Sequence, residues 1–235
     1  MIPQDTIAQI ASEVSSCQSC ALHTTRTMAV PGEGPANAEI MLIGEGPGAT
    51  EDAQGRPFIG SAGKFLVELL GQAGLQRTDV WICNVVKCRP PGNRDPLPDE
   101  LFACSLYLDR QIAAINPKII ITLGRFSMAK FMPGVKISQI HGQMRRIKIH
   151  GQEDRFVIAM FHPAAALHQV ALKPVILADF AKLPELLDVA RKALNESAEN
   201  SLDKIQLKSP VAQNEAALPN ASTLEKEEPK QFKLF

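Results

Sequence analysis

The chain has 235 residues, with 25 basic and 25 acidic side chains and a formal net charge of zero, which excludes a chain-wide electrostatic pull on nucleic acid. Any such affinity has to come from local patches. The length allows one sizeable core plus appendages, no apolar stretch is long enough to span a bilayer, and the start, MIPQDTIAQI, lacks the layout of a signal peptide.

The expectation is a cytoplasmic monomer, associated with the nucleoid and not with a membrane. In such a compartment five cysteines are not expected to form a disulfide framework. The first chemistry-bearing residues along the chain are Cys17 and Cys20, a C-x-x-C at the end of an N-terminal helix.

Four apolar runs follow, at 38–45, 80–88, 117–124 and 156–163. Each is continuously apolar rather than alternating, the pattern of strands buried on both faces of a parallel sheet. Helical stretches separate the first three. SAGKFLVELLGQAG sets Phe65, Leu66, Leu69 and Leu70 on one stripe, and PDELFACSLYLDRQIAAI opens with Pro98, Asp99 and Glu100, favourable for a first turn. The predicted fold class is α/β, a three-layer α/β/α domain over residues 1–195 with a central four-stranded parallel sheet. Residues 196–235 turn polar and non-periodic, the composition of a disordered tail, and end in the apolar pentapeptide QFKLF.

Behind the first run stands GEGPGATEDAQGRPFIG, residues 44–60. It is not a Walker A loop: GSAGK at 60–64 has Phe58 where the first Gly belongs and Phe65 where the hydroxyl belongs. Gly44, Gly46 and Ala49 match a dinucleotide spacing, but Pro47 lies inside it, and Gly55, Arg56 and Pro57 interrupt any helix begun at Ala49. A merely long turn leaves Phe58 without a purpose. Beyond the carboxyl end of the first strand, that ring is placed to stack on a planar ligand.

Asn84 interrupts the apolar ICNVV, so its amide is either paired structurally or reserved for a ligand. An amide offers a donor beside an acceptor, the complement of the O4 and N3–H edge of uracil, and cytosine presents the reverse pair. His162 ends the fourth run before Pro163. A histidine there is either structural or functional; the shared strand edge brings it to Phe58 and Asn84, a plausible pocket for an extruded base. Cys88 and Cys104 add a second thiol pair to Cys17 and Cys20. Four thiols suit zinc or a [4Fe-4S] cluster, and spacing does not choose between them. Cys104 also lies on the apolar stripe of its helix with Leu101 and Leu108, where an ordinary buried thiol is the alternative.

GEGPG, the Glu51-Asp52 pair, GRPFIG, NVVKCRPPGNR and FHPAAAL, in this order across residues 10–190, resemble the iron-sulfur family 4 of the uracil-DNA glycosylase superfamily. The resemblance implies hydrolysis of the N-glycosidic bond of deoxyuridine in DNA as the first step of base excision repair. It implies that Phe58 stacks on uracil, that Asn84 reads its edge, and that His162 donates to O2 as charge develops there. Glu45 and Gly46 fall in the motif that contacts base and water, with Glu51 and Asn93 as further base contacts. Gly46 stands where the best-known family has the water-positioning Asp, which leaves the activating group open. The resemblance makes Cys17, Cys20, Cys88 and Cys104 ligands of a [4Fe-4S] cluster and leaves Cys83 in the core.

Arg89 and Arg94, beside Asn93, suit phosphate contacts, and Arg145 and Arg146 form the densest basic patch. Leu167 is the expected wedge for the gap left by a flipped nucleotide. The terminal peptide, with Gln231, Leu234 and Phe235, resembles those that grip the bacterial sliding clamp. Two alternatives remain at this level: a non-catalytic iron-sulfur DNA-binding or clamp-associated protein of the same fold, and a glycosylase for another deaminated base such as hypoxanthine.

Overall fold

All five residues of β1 (Ile40–Gly44) are buried, as are those of β2 (Val80–Asn84) and β3 (Ile119–Leu123), because helices cover both faces of the sheet they form. The structure, a computed structural model, describes residues 6–148 and 154–206. The chain divides into two units, Met1–Leu194 and Asn195–Phe235, and the fold below is that of the first.

The sheet has five strands in the order β2-β1-β3-β5-β4. Strands β1, β2, β3 and β5 (Asp154–Met160) pair in parallel, with Gly44 opposite Asn84 at the carboxyl edge. The parallel sheet is four-stranded, as the apolar runs predict, but an antiparallel fifth strand, β4 (Gln143–Lys148), closes one edge. The basic segment QMRRIKIH lacks a two-residue alternation and so hides this strand: Met144 and Ile147 are half-buried while Gln143, Arg145, Arg146 and Lys148 are exposed. Exposed cations on an outermost strand also discourage further strand addition.

Side-chain parity sorts the core. Ile40, Leu42, Val80, Ile82, Ile119, Ile121 and Phe156 face α3 (Ser61–Gln72), α8 (Lys173–Ala181) and the first turns of α9 (Leu183–Gln206). Met41, Ile43, Trp81, Cys83, Ile120 and Val157 face α4 (Pro98–Ile115), α5 (Arg125–Phe131) and α6 (Ile137–Ile140). This is the predicted α/β/α sandwich. The N-terminal helix α1 (Ile7–Ser16), opened by a Thr6–Gln9 capping box, packs Ile10 and Val14 against a third cluster that includes Cys88 and Cys104.

Two short helices complete the carboxyl edge, α2 (Ala49–Gln54) and α7 (Ala164–His168). A helix does begin at Ala49, and it stops after six residues where Gly55 takes the left-handed conformation at φ +69°. At the other end α9 continues to Gln206, past the position where the sequence reading begins a disordered tail. Gln231, Leu234 and Phe235 lie outside the described residues. Among the described residues no helix is long and apolar enough to cross a membrane.

Candidate active site

A cavity of about 440 Å³ opens at the carboxyl edge of the sheet, where the loop after β1, the end of β2 and the turn after β5 meet. Its lining includes Glu45, Gly46, Glu51, Phe58, Asn84, Asn93, Arg94 and His162. The resemblance and the strand order thus bring these eight predicted residues to one place.

Phe58 is 5% exposed and sits at φ +50°, a left-handed backbone that a bulky residue adopts only under constraint. The constraint is a set of clamps. Arg77 donates through Nη1 to the Phe58 carbonyl at 2.9 Å and through Nη2 to the carbonyl of Pro57, and Glu33 accepts from Arg77 Nε at 3.4 Å. Glu51 Oε1 accepts the backbone N–H groups of Ile59 (3.0 Å) and Gly60 (2.8 Å). Two glycines make the room: a Cβ on Gly63 would stand 2.0 Å from the Phe58 carbonyl oxygen, and one on Gly44 would stand 2.5 Å from the Phe58 ring. Glu51 was expected beside the base; it does line the cavity, with one carboxylate oxygen engaged in holding the Phe58 turn.

Asn84 is 1% exposed at the end of β2, and its Oδ1 has no hydrogen-bond partner among the described residues. An orphan acceptor in a buried position is costly unless a ligand completes it. Phe58 faces His162 with ring centroids 5.5 Å apart and planes tilted by 31°. The backbone N–H of Ala164 donates to His162 Nδ1 at 3.1 Å. With Nδ1 accepting, the neutral imidazole carries its hydrogen on Nε2, which leaves Nε2–H as a donor. Burial pushes the imidazole down to about 4, against a smaller opposing pull from Glu51, so His162 is neutral at physiological pH.

Glu45 follows Gly44, and its carbonyl accepts the N–H of Val86 at 3.1 Å. Burial raises its carboxyl above the ordinary range, the charge of Asp95 adds to the rise, and Arg125 opposes it. Asp95 and Arg125 are themselves paired. Gly46 leaves no side chain at its position, where a Cβ would meet Val86 Cγ2 at 2.9 Å. At the mouth Asn93, exposed and at φ +55°, accepts from Arg89 Nε at 2.7 Å. Arg94 forms a two-pronged pair with the buried Glu100 at 2.6 and 2.9 Å. Arg89 is thus tied within the loop that forms the cavity wall, and Arg94 ties that loop to α4.

The remaining predicted DNA contacts divide. Leu167 is 50% exposed on α7, next to cavity-lining His168. Arg145 and Arg146 do not line the cavity; they lie on the edge strand opposite Val157 and Phe156, and the Arg146 guanidinium stands over the Phe156 ring, 5.9 Å from its centroid. Sequence reasoning missed His168, Arg77, Gly63 and Lys87. For His168 the signal is its place six residues after His162, at the end of the same FHPAAALH run; for Arg77 none exists, since it comes from a turn before β2.

A second, small cavity is lined by Cys17, Cys20, Cys88 and Cys104, with Arg26, Lys87 and Tyr107 beside them. All five cysteines are free thiols, and Arg26 Nη1 donates to Cys88 Sγ at 3.1 Å. Burial pushes the Cys104 thiol up to about 11 and raises Cys88, while the fifth thiol, Cys83, is wholly buried in the sheet core, as expected. Among the described residues no three His, Cys, Asp or Glu side chains are gathered closely enough to hold a metal ion.

Fold and cavity together define an α/β/α protein whose candidate site lies at the carboxyl edge of a parallel sheet. Residues 31–182 match the uracil DNA glycosylase superfamily, and the chain belongs to that superfamily. It is 45% identical over 188 residues to the type-4 uracil-DNA glycosylase of Archaeoglobus fulgidus, covering 77% of this chain and 94% of that one. The type-4 uracil-DNA glycosylase of Sulfurisphaera tokodaii is 47% identical over 188 residues (77% and 85%), and that of Saccharolobus solfataricus 46% over 206 residues (85% and 95%).

Proposed function

We propose that the protein is a monofunctional uracil-DNA glycosylase, which releases uracil from deoxyuridine in DNA and leaves an abasic site. The observation that carries this reading is the buried, unpartnered Asn84 Oδ1 in a cavity that also holds Phe58 and His162. Oδ1 accepts from uracil N3–H and the amide nitrogen donates to O4, while Phe58 stacks on the ring. Cytosine at this position would leave both partners unmatched.

In the reaction the N1–C1′ bond breaks and its electron pair leaves with uracil, whose charge spreads onto O2. The neutral His162 donates through Nε2–H to that oxygen, a preorganised donor in the cavity wall. Water supplies hydroxyl to C1′ and its proton is released. Glu45, beside the glycine where a carboxylate is absent, is the group assigned to hold this water. Arg89, Arg94 and Leu167 serve the flanking backbone and the vacated stack.

The four thiols line one cavity and no disulfide ties them, a donor set that fits a [4Fe-4S] cluster. Cys17, Cys20, Cys88 and Cys104 would hold it, and bound it would supply a structural clamp between α1, α4 and the loop after β2. The sequence reading of Gln231, Leu234 and Phe235 as a sliding-clamp peptide completes the proposal; deletion of residues 231–235 should abolish clamp binding, and unchanged affinity would reject it.

Alkali cleavage of a uracil-containing oligonucleotide by anaerobically purified protein tests the main reading. Wild type should cleave, with Asn84→Ala and His162→Ala both strongly reduced. A cluster-loaded wild type that fails to cleave would reject it in favour of the DNA-binding alternative, and cleavage at hypoxanthine but not uracil would reject it in favour of the other.

A further inference from the structure

Lys87 is 1% exposed and stands between the two cavities. Its Nζ donates to the backbone carbonyl of Asn84 at 2.8 Å and to Gln111 Oε1 at 2.6 Å. Its backbone N–H donates to Cys104 Sγ at 3.3 Å, and its carbonyl accepts from Val30 N–H at 2.7 Å. Gln111 is held in turn, donating to the Pro31 carbonyl at 2.7 Å. Lys87 lines the four-thiol cavity and directly precedes Cys88.

The ammonium's two oxygen acceptors are neutral, the buried Cys83 thiol is a further hydrogen-bond partner, and among the described residues it makes no ion pair. A buried cation without a counter-charge is strongly unfavourable, and an apolar side chain of the same length would fill the space without that penalty. No carboxylate is among the residues that line this cavity; besides the four thiols its polar lining is Ser19, His23 and Tyr107, its other strong cation is Arg26, and Asp99 and Glu100 act on Cys20 from outside the lining. A four-thiolate cluster with a dicationic core is a net dianion, so two cations balance it.

We infer that Lys87 is a positioning residue that couples the four-thiolate site to the base reader. Its ammonium offsets the charge of the cluster, and its hydrogen bond to the Asn84 carbonyl sets the end of β2 from which the amide reads uracil. This rests on the glycosylase and cluster readings above. One side chain thereby makes the geometry of base recognition depend on the occupancy of a cavity that does not touch the base.

The test uses full-length, anaerobically purified Lys87→Met and Lys87→Arg, with Gln111→Glu as a second route that keeps the lysine and cancels its field. Two quantities are read: the reduction potential of the cluster and the inhibition constant of free uracil. Loss of a nearby cation disfavours the more negative reduced cluster. Lys87→Met and Gln111→Glu should therefore shift the potential more negative, while Lys87→Arg stays near wild type. Free uracil should inhibit Lys87→Met about tenfold more weakly. Should Lys87→Met fail to load its cluster, the potential of Gln111→Glu decides. A potential and inhibition constant that do not move, in variants of an active wild type, would overturn the inference and leave the glycosylase reading intact. A shifted potential in a protein whose wild type releases no uracil would remove the glycosylase reading and keep the charge coupling. An iron-free wild type would overturn the inference.

Discussion

A Cβ placed on Gly44 would lie 2.4 Å from Asn84 Oδ1, so the amide of β2 occupies the space that any other residue at the end of β1 would fill. The same Cβ would lie 2.5 Å from Phe58 Cζ. One missing side chain therefore admits both the amide proposed to read the base edge and the ring proposed to cover its face. The close approach of these two side chains is what requires glycine at position 44.

Gly44→Ala should leave the sheet intact and displace the amide and the ring together. Displacement on the order of 1 Å in a positioning group costs about 100-fold in rate. The expected result is a loss of about that size in kcat/KM on uracil DNA, with stability lower by about 1–3 kcal/mol. Rates near wild type would contradict the assignment of this contact.

Arg77→Met removes two charge-assisted hydrogen bonds to the turn that holds Phe58 at positive φ. Such bonds contribute about 1.5–3 kcal/mol each at most, and less at this partly exposed site. Denaturant unfolding should show a loss of about 1–2 kcal/mol. Kinetics should show a higher KM, because the stacking wall relaxes when no base is bound.

His162 should remain neutral down to about pH 4, because burial disfavours the imidazolium. NMR should show no titration of its ring between pH 5 and 8, and His162→Gln should lower kcat by about 100-fold or more through loss of the O2 donor. The sign for stability follows from linkage. Unfolded chains bind a proton near 6.5 and the native state near 4, so folding weakens as pH falls through that window and is unaffected above it. A native titration near 6.5 would refute the burial argument.

Glu45 should set the acid limb of the pH–rate profile, above the ordinary carboxylate range. Asp95→Asn removes a repelling charge and should move that limb to lower pH. Arg125→Met removes the opposing cation and should move it to higher pH. A limb that ignores both substitutions, or that persists in Glu45→Gln, would remove Glu45 from the water site.

Much of this was legible in the sequence. Continuous apolar runs read as doubly covered parallel strands because burial on both faces removes the polar half of the usual alternation. Asn84 stood out for the same reason, as a polar residue in an apolar strand. The edge strand β4 did not stand out, since one exposed strand among cations carries neither pattern. Arg145 and Arg146, with Lys148 in a basic segment, read as a DNA patch; pairing with β5 sets them on an edge strand opposite Val157 and Phe156, outside the cavity lining.

By itself the sequence determined the layer architecture, the four thiols, and the residue types at the ends of the strands, because period, burial and spacing are local properties. Only the tertiary structure decided that Gly63 and Arg77 hold Phe58, that Asn84 Oδ1 goes unpaired, and that Lys87 stands between amide and thiols. Those facts depend on distances between segments remote in the chain, such as the register of β1 against β2 that sets Gly44 opposite Asn84, which no single segment encodes.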